Sequence, residues 1–300
     1  MRLAFGTLSI LPAGVPGTVD RRVAGRAMLL APVVGLVLGG IAAAVVAGVD
    51  HLRPDAPLLA AVLGVVVLAG LSGGLHLDGL ADMADGLGSR RDRETMLSIM
   101  KKGDVGPFGV ASIAAVLLIN VAALTACVSV GLGWQAILVA AVASRLTLPW
   151  ACRTGVPSAR PDGLGAMVAS TVRPLYAVFA TAAVLVGAAG LIWFSTPLPY
   201  GDGRGAAPLL SQTTAVEGGR DLISSKTLLP DFAERPARAQ QLQPEGLGLL
   251  GAGAVLAAVA AGLLVVRRAR KAFGGITGDV LGAGVETGFA ICLIVVALAL

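Results

Sequence analysis

Between its charged residues this chain repeatedly leaves apolar gaps about as long as a lipid bilayer is thick. Uncharged stretches occupy 27–49, 56–75, 105–144, 174–201 and 246–266, and a bilayer-crossing helix needs about 20 mostly apolar residues. The 40-residue gap from Val105 to Ser144 exceeds one span, and Gly131-Leu132-Gly133 supplies the break. Its second half runs on to about Cys152 and contains Arg145, and a last run, Val280 to Leu300, contains Glu286. The pattern predicts an all-α fold: a polytopic integral membrane bundle of seven transmembrane helices, at roughly 27–49, 56–75, 106–130, 134–152, 175–196, 246–266 and 280–300. Composition agrees, with 56% hydrophobic and 14% charged residues where soluble domains carry about 45–50% and about 25%. That excludes a soluble globular protein. Aromatics are only 4% and glycines number 41, a small-residue mixture that lets membrane helices approach closely. Cys127, Cys152 and Cys292 share no metal-ligand spacing, lie in or beside apolar runs and read as free buried thiols.

The whole chain, 1–300, reads as one membrane domain. Residues 1–26 carry Arg2, Arg21, Arg22 and Arg26 with no small-residue cleavage site after an apolar run, so they read as an interfacial N-terminal segment. The stretch 197–245, rich in Gly, Pro, Ser, Gln and charge, reads as a flexible extracytoplasmic loop. Seven crossings put the N-terminus and the connections after helices 2, 4 and 6 on one side, with 16 Lys and Arg against six on the other. The excess places that side in the cytoplasm, for a multi-pass protein of the cell (inner) membrane. A positive membrane face suits anionic lipid headgroups or a phosphorylated substrate. Positive charge in short loops without interleaved aromatics argues against nucleic acid as a partner. No internal repeat of convincing length is visible, which counts against an inverted-repeat transporter.

The most informative stretch is Gly73-Gly-Leu-His-Leu-Asp-Gly-Leu-Ala-Asp-Met-Ala-Asp-Gly86. Asp78, Asp82 and Asp85 stand at i, i+4 and i+7, so a helix would align three carboxylates on one face. Such a face is unfavourable unless a cation neutralises it. Oxygen-only ligands favour Mg²⁺, which takes one or two carboxylates and leaves room for water and substrate phosphate. Metal-assisted phosphoryl transfer is the chemistry this implies; the plainer alternative is a solvated acidic helix end. His76, two residues before the first acid, reads as a substrate contact, or as a structural histidine.

Further along come Arg90, Arg91, Asp92, Arg93 and Glu94, then Lys101-Lys-Gly-Asp-Val-Gly-Pro-Phe-Gly109. Cations beside an acidic, metal-binding face can hold the oxygens of a diphosphate. Lys101, Lys102 and Asp104 lie among glycines that let backbone and ligand come close, whereas the arginines, Arg90 included, also fit an ordinary positive-inside cluster. Arg160 belongs to a Gly-rich connection with Asp162, Gly163 and Gly165. Arg145, within an apolar run, should face the bundle interior and bind a phosphate or pair with an inner carboxylate, unless it snorkels to the interface. Asp279 and Glu286, seven apart in Gly274-Gly-Ile-Thr-Gly-Asp-Val-Leu-Gly-Ala-Gly-Val-Glu286, share a helix face and could complete the site; close glycine packing is the alternative. The acid cluster, the Lys101–Asp104 segment, the Arg160 connection and the Gly274–Glu286 segment come from connections on the same predicted side.

The strings Gly73–Gly86, GDVGPFG at Gly103–Gly109, Ser144-Arg145, Arg160–Gly165 and GGITGDVLGA at Gly274–Ala283 resemble the cobalamin synthase (adenosylcobinamide-GDP ribazoletransferase) family. The first string is highly specific and the others support it. The resemblance implies an integral membrane enzyme of late cobalamin biosynthesis that joins adenosylcobinamide-GDP to α-ribazole or its 5′-phosphate, releases GMP and requires Mg²⁺. It implies a metal role for Asp78, Asp82 and Asp85 and substrate contact for His76, Lys101, Arg145 and Asp279, with the general base open among the carboxylates. Assembly into a homo-oligomer is left open. Two rivals stand beside it. Asp82-x-x-Asp85-Gly86-x-x-Ser89-Arg90 resembles the opening of the CDP-alcohol phosphotransferase signature, but its downstream Gly-x3-Asp-x3-Asp is missing. An ion-coupled transporter using Glu286 and Arg145 would place its binding groups near the midplane, whereas most acids here fall at one interface.

Overall fold

The computed structural model describes residues 1–14, 17, 19–195 and 244–300, and their regular structure is helical. Two short helices, α1 (Arg2–Leu8) and α2 (Arg21–Leu29), precede the long α3 (Ala31–Leu52). Then come α4 (Pro57–Leu71), α5 (Leu75–Gly88), α6 (Arg93–Ile99), α7 (Pro107–Val128), α8 (Gly133–Arg145), α9 (Thr147–Ala151), α10 (Gly163–Val168) and α11 (Pro174–Ser195). The chain closes with α12 (Pro244–Phe273) and α13 (Gly278–Ala299). The expected loop at 197–245 lies outside the described residues, apart from its last two positions, which open α12.

The starts of these helices follow from local chemistry. Proline occupies the first turn of α3, α4 and α7, where its missing N–H costs no helical bond. Side-chain caps begin three others. Asp20 accepts the Val23 amide at 2.7 Å, Asp92 the Thr95 amide at 3.0 Å, and Thr277 the Val280 amide at 3.3 Å.

Among the described residues five helices are long and apolar enough to span a bilayer: α3, α7, α11, α12 and α13. A sixth span exists if α4 and α5 are taken together across their 87° bend. This corrects the expected seven. The run predicted at 134–152 divides into α8, of 13 residues, and α9, of five; 13 residues rise only about 20 Å, short of the hydrocarbon core. Its apolarity has another cause. Ten α8 residues, from Gly133 to Arg145, are buried within the protein, so α8 is apolar because neighbouring helices surround it. The run predicted at 56–75 ends early because Gly73 (φ +65°) and Gly74 (φ +68°) adopt the left-handed conformation that turns α4 into α5.

At the centre stands α13, packed against α5, α7, α8 and α12. Within its most apolar window 67% of residues are buried in the protein, against 17% for α11, which is therefore the peripheral span. The three cysteines are free and buried, as their apolar surroundings predict.

Candidate active site

The site begins where α5 crosses α13. A Cβ on Gly79 would stand 2.8 Å from the Asp279 carbonyl oxygen and 3.0 Å from its Cα, and one on Gly282 would stand 3.1 Å from the His76 carbonyl oxygen. The two backbones therefore touch, which brings the acids of α5 beside Asp279 at the start of α13. Asp78 is exposed, Asp82 half-buried and Asp85 buried. Asp82 lies within electrostatic reach of Asp279, Asp78, Asp85 and Arg160.

A second junction brings up the cations. Ile276 donates to the Pro157 carbonyl at 2.9 Å, and Ala159 donates to the Ile276 carbonyl at 2.9 Å. This short parallel pairing pins the Arg160 loop along the segment leading into α13. Arg160 donates to the Leu97 carbonyl at 2.6 Å, and Lys101 meets Asp162 at 3.0 Å. Lys101 holds the Asp162 carboxyl below its ordinary pKa, through their hydrogen bond and then its charge. Arg93 fastens the whole assembly. Its Nε donates to the Phe273 carbonyl at 2.6 Å and its Nη2 to the Ala159 carbonyl at 2.9 Å.

These contacts enclose a cavity of about 360 Å³ whose lining includes His76, Asp78, Lys101, Arg160, Asp162 and Asp279. Four segments thus meet at one end of the bundle: α5, the α6–α7 connection, the α9–α10 connection and the start of α13. An apolar wall, including Leu8, Met28, Leu148 and Leu281, faces them. Thr7 and Leu8 come from α1, so the N-terminal segment contributes to the cavity itself. Sequence reasoning missed this wall and the Arg93 fastening, because ordinary leucines and one arginine among several carry no signal of their tertiary partners.

Other predicted site residues lie elsewhere. Arg90, Lys102 and Asp104 are exposed and do not line the cavity. Asp85 faces α7: its two carboxylate oxygens accept the Gly106 amide at 2.7 Å and the Gly109 amide at 2.9 Å. Arg145 and Glu286 line a separate void of about 20 Å³ with Asn120 and Ser72. There Arg145 is buried, lies in electrostatic reach of Glu286 and donates to the Ser144 hydroxyl at 3.1 Å. His76, by contrast, lines the cavity, and it is buried with neither ring nitrogen hydrogen-bonded. Asn120, which the sequence did not single out, is buried with its Oδ1 unpartnered.

Since Asp85 ties α5 to the start of α7, Asp85→Ala should destabilise the fold by about 1–3 kcal/mol by orphaning two amides. Asp85→Asn, which keeps one carbonyl acceptor, should cost less. Thermal unfolding of the purified protein in detergent measures both, and equal midpoints for wild type and Asp85→Ala would refute the anchoring role.

Among the described residues no group of three or more His, Cys, Asp or Glu stands close enough to hold a metal ion unaided. The donor chemistry nevertheless suits a hard cation that draws its remaining ligands from elsewhere. Asp78 and Asp279 are oxygen donors lining one cavity, and Asp82, behind them and within electrostatic reach of both, has no hydrogen-bond partner among the described residues.

A bundle of bilayer-length helices with a cleft of carboxylates and cations at one end defines a polytopic membrane protein. The chain belongs to the cobalamin-5-phosphate synthase family, whose model matches residues 1–297. It is 40% identical to an adenosylcobinamide-GDP ribazoletransferase of Frankia casuarinae, across 99% of this chain and 94% of the relative. Proteins of the same name from Nocardioides sp. and Bradyrhizobium diazoefficiens are 35% and 32% identical, covering 98% and 99% of this chain and 96% and 92% of those proteins. No solved structure matches.

Proposed function

We propose that this protein is an adenosylcobinamide-GDP ribazoletransferase that works at the cleft between α5, α13 and the Arg160 loop. The observation that carries this reading is the convergence of Asp78, Lys101, Arg160 and Asp279 on one cavity in a chain that matches the family over nearly its full length. The reaction exchanges one phosphoester bond for another. A ribose hydroxyl of α-ribazole, or of its 5′-phosphate, forms a bond to the cobinamide-linked phosphorus, the diphosphate P–O bond breaks, and GMP leaves with the bond's electrons.

Each element of the cavity has a place in that exchange. Arg160 and Lys101 bind the diphosphate oxygens and offset charge that builds on them. The hydroxyl proton passes to one of the carboxylates at the cleft. Asp78, Asp82 and Asp279 would hold Mg²⁺, which when bound supplies charge neutralisation at the phosphates. The apolar wall receives the base of the nucleoside. A cavity of about 360 Å³ suits a nucleoside-sized group, so the corrin ring stays outside its mouth. The Lys and Arg excess of the connections that build the cleft supports a cytoplasmic orientation.

The purified chain in lipid vesicles should release GMP from adenosylcobinamide-GDP only when α-ribazole and Mg²⁺ are both present. GMP release that ignores α-ribazole, or none under any of these conditions, would overturn the assignment. Lys101 is exposed, and Lys101→Met should raise KM for adenosylcobinamide-GDP roughly tenfold through loss of one charge-assisted contact, with kcat and the unfolding midpoint little changed. Steady-state kinetics at fixed ionic strength would detect it.

A further inference from the structure

A second cleft, sharing no residue with the first, opens beside the end of α12. It has a volume of about 600 Å³ and is lined by Arg153, Leu263, Leu264, Val266, Arg267, Arg270 and Lys271. No carboxylate lines it, and none of its four cations has an ion-pair partner among the described residues. Helical spacing places Leu263, Leu264, Arg267, Arg270 and Lys271 along one side of α12. The apolar residues come first, within the membrane-spanning stretch, and the cations follow at its end. Arg153, from the connection after α9, forms the opposite wall. Its Nη1 donates to the Trp150 carbonyl at 2.6 Å, which fixes the guanidinium facing the helix. Burial and the nearby Arg270 both lower the Arg153 pKa. Two like charges held together in this way are unfavourable unless an anion lies between them.

We infer that this cleft binds an anionic glycerophospholipid, its phosphate between Arg153 and Arg270 and an acyl chain along Leu263 and Leu264. The order of the lining residues favours a lipid over a free anion, since an inorganic phosphate would gain nothing from the leucines. Leu264 is exposed at the level where a bound acyl chain would run.

Native mass spectrometry of the full chain in mixed phosphatidylglycerol and phosphatidylcholine micelles tests the inference. Wild type should retain phosphatidylglycerol preferentially. Arg270→Gln should lower that preference about fivefold, and Arg153→Gln/Arg270→Gln further, as expected for about 1 kcal/mol per interfacial cation. Arg268→Gln removes the same charge from the same helix end but from outside the cleft, and should leave the preference intact. The assignment is overturned if Arg268→Gln matches Arg270→Gln, which would indicate diffuse charge attraction. It is also overturned if inorganic phosphate displaces the lipid at comparable concentration, or if the wild type fills the cleft with a second copy and runs as a dimer that Arg270→Gln dissociates. Melting of each variant in neutral detergent separates lost binding from lost folding.

Discussion

Replacing Asp82 with Asn is expected to lower α-ribazole-dependent GMP release by two to three orders of magnitude without lowering the unfolding temperature. Removing one preorganised charge-stabilising group from an active site costs about this much. The stability half of the prediction follows from the surroundings. Asp82 is half-buried among Asp279, Asp78 and Asp85, with Arg160 as the cation in reach, so neutralising it relieves more repulsion than attraction. Asn has the same shape and leaves the α5 backbone untouched. A residue whose loss abolishes turnover while holding or raising stability serves the reaction and not the fold. Asp78→Asn should behave similarly, and in both variants half-maximal activity should require more Mg²⁺. Wild-type turnover by Asp82→Asn would remove this carboxylate from the mechanism.

The second large effect is expected at Gly79, where substitution by Val should cost both stability and activity. An added Cβ would meet the backbone of Asp279 at 2.8–3.0 Å, and backbone on both sides leaves no flexible side chain to yield. Overpacking of this kind costs about 1–3 kcal/mol. The larger consequence is geometric, because α5 and α13 would separate at the point that sets the distance from Asp82 to Asp279. Misplacement of reacting groups by about 1 Å can lower a rate about a hundredfold. By contrast, a Cβ on Gly187 or Gly190 of the peripheral α11 meets nothing within 4 Å, so Gly187→Ala should be silent. Thermal unfolding and turnover of the two variants, measured together, check the contrast. Equal behaviour would mean that the crossing does not position the site.

The all-helical membrane fold was legible because burial in lipid demands long charge-free runs, and α3, α7, α12 and α13 fall close to their predicted bounds. Two predicted spans differ, for different reasons: the run at 56–75 is cut short by the left-handed turn at Gly73 and Gly74, which apolarity does not reveal. Apolar sequence does not distinguish a helix surrounded by lipid from one surrounded by protein, and α8 is the second kind. The cleft was legible at Asp78, Lys101, Arg160 and Asp279, polar residues near glycines at the ends of apolar runs, but the same signal at Lys102 and Asp104 marks exposed residues outside it. Asp85 shared their motif yet faces α7, since the amides it accepts lie 21 and 24 residues further on and helical spacing says nothing of them. Glu286, seven residues after Asp279, does share its helix, but two turns separate them by about 10 Å along the axis. It therefore meets Arg145 inside the bundle instead of the cleft.

Whether substrate occupies this cleft can be read from the reactivity of a single thiol. The three native cysteines are buried, and Thr7 lines the cavity while its hydroxyl bonds only within α1. Thr7→Cys should therefore be alkylated by a maleimide in the free protein and protected by adenosylcobinamide-GDP. A cysteine at the exposed Ser129, outside the cavity, should react equally with and without it. Undiminished labelling of Thr7→Cys at saturating substrate, or equal protection of both positions, would contradict the placement of the reaction between α5, α13 and the Arg160 loop.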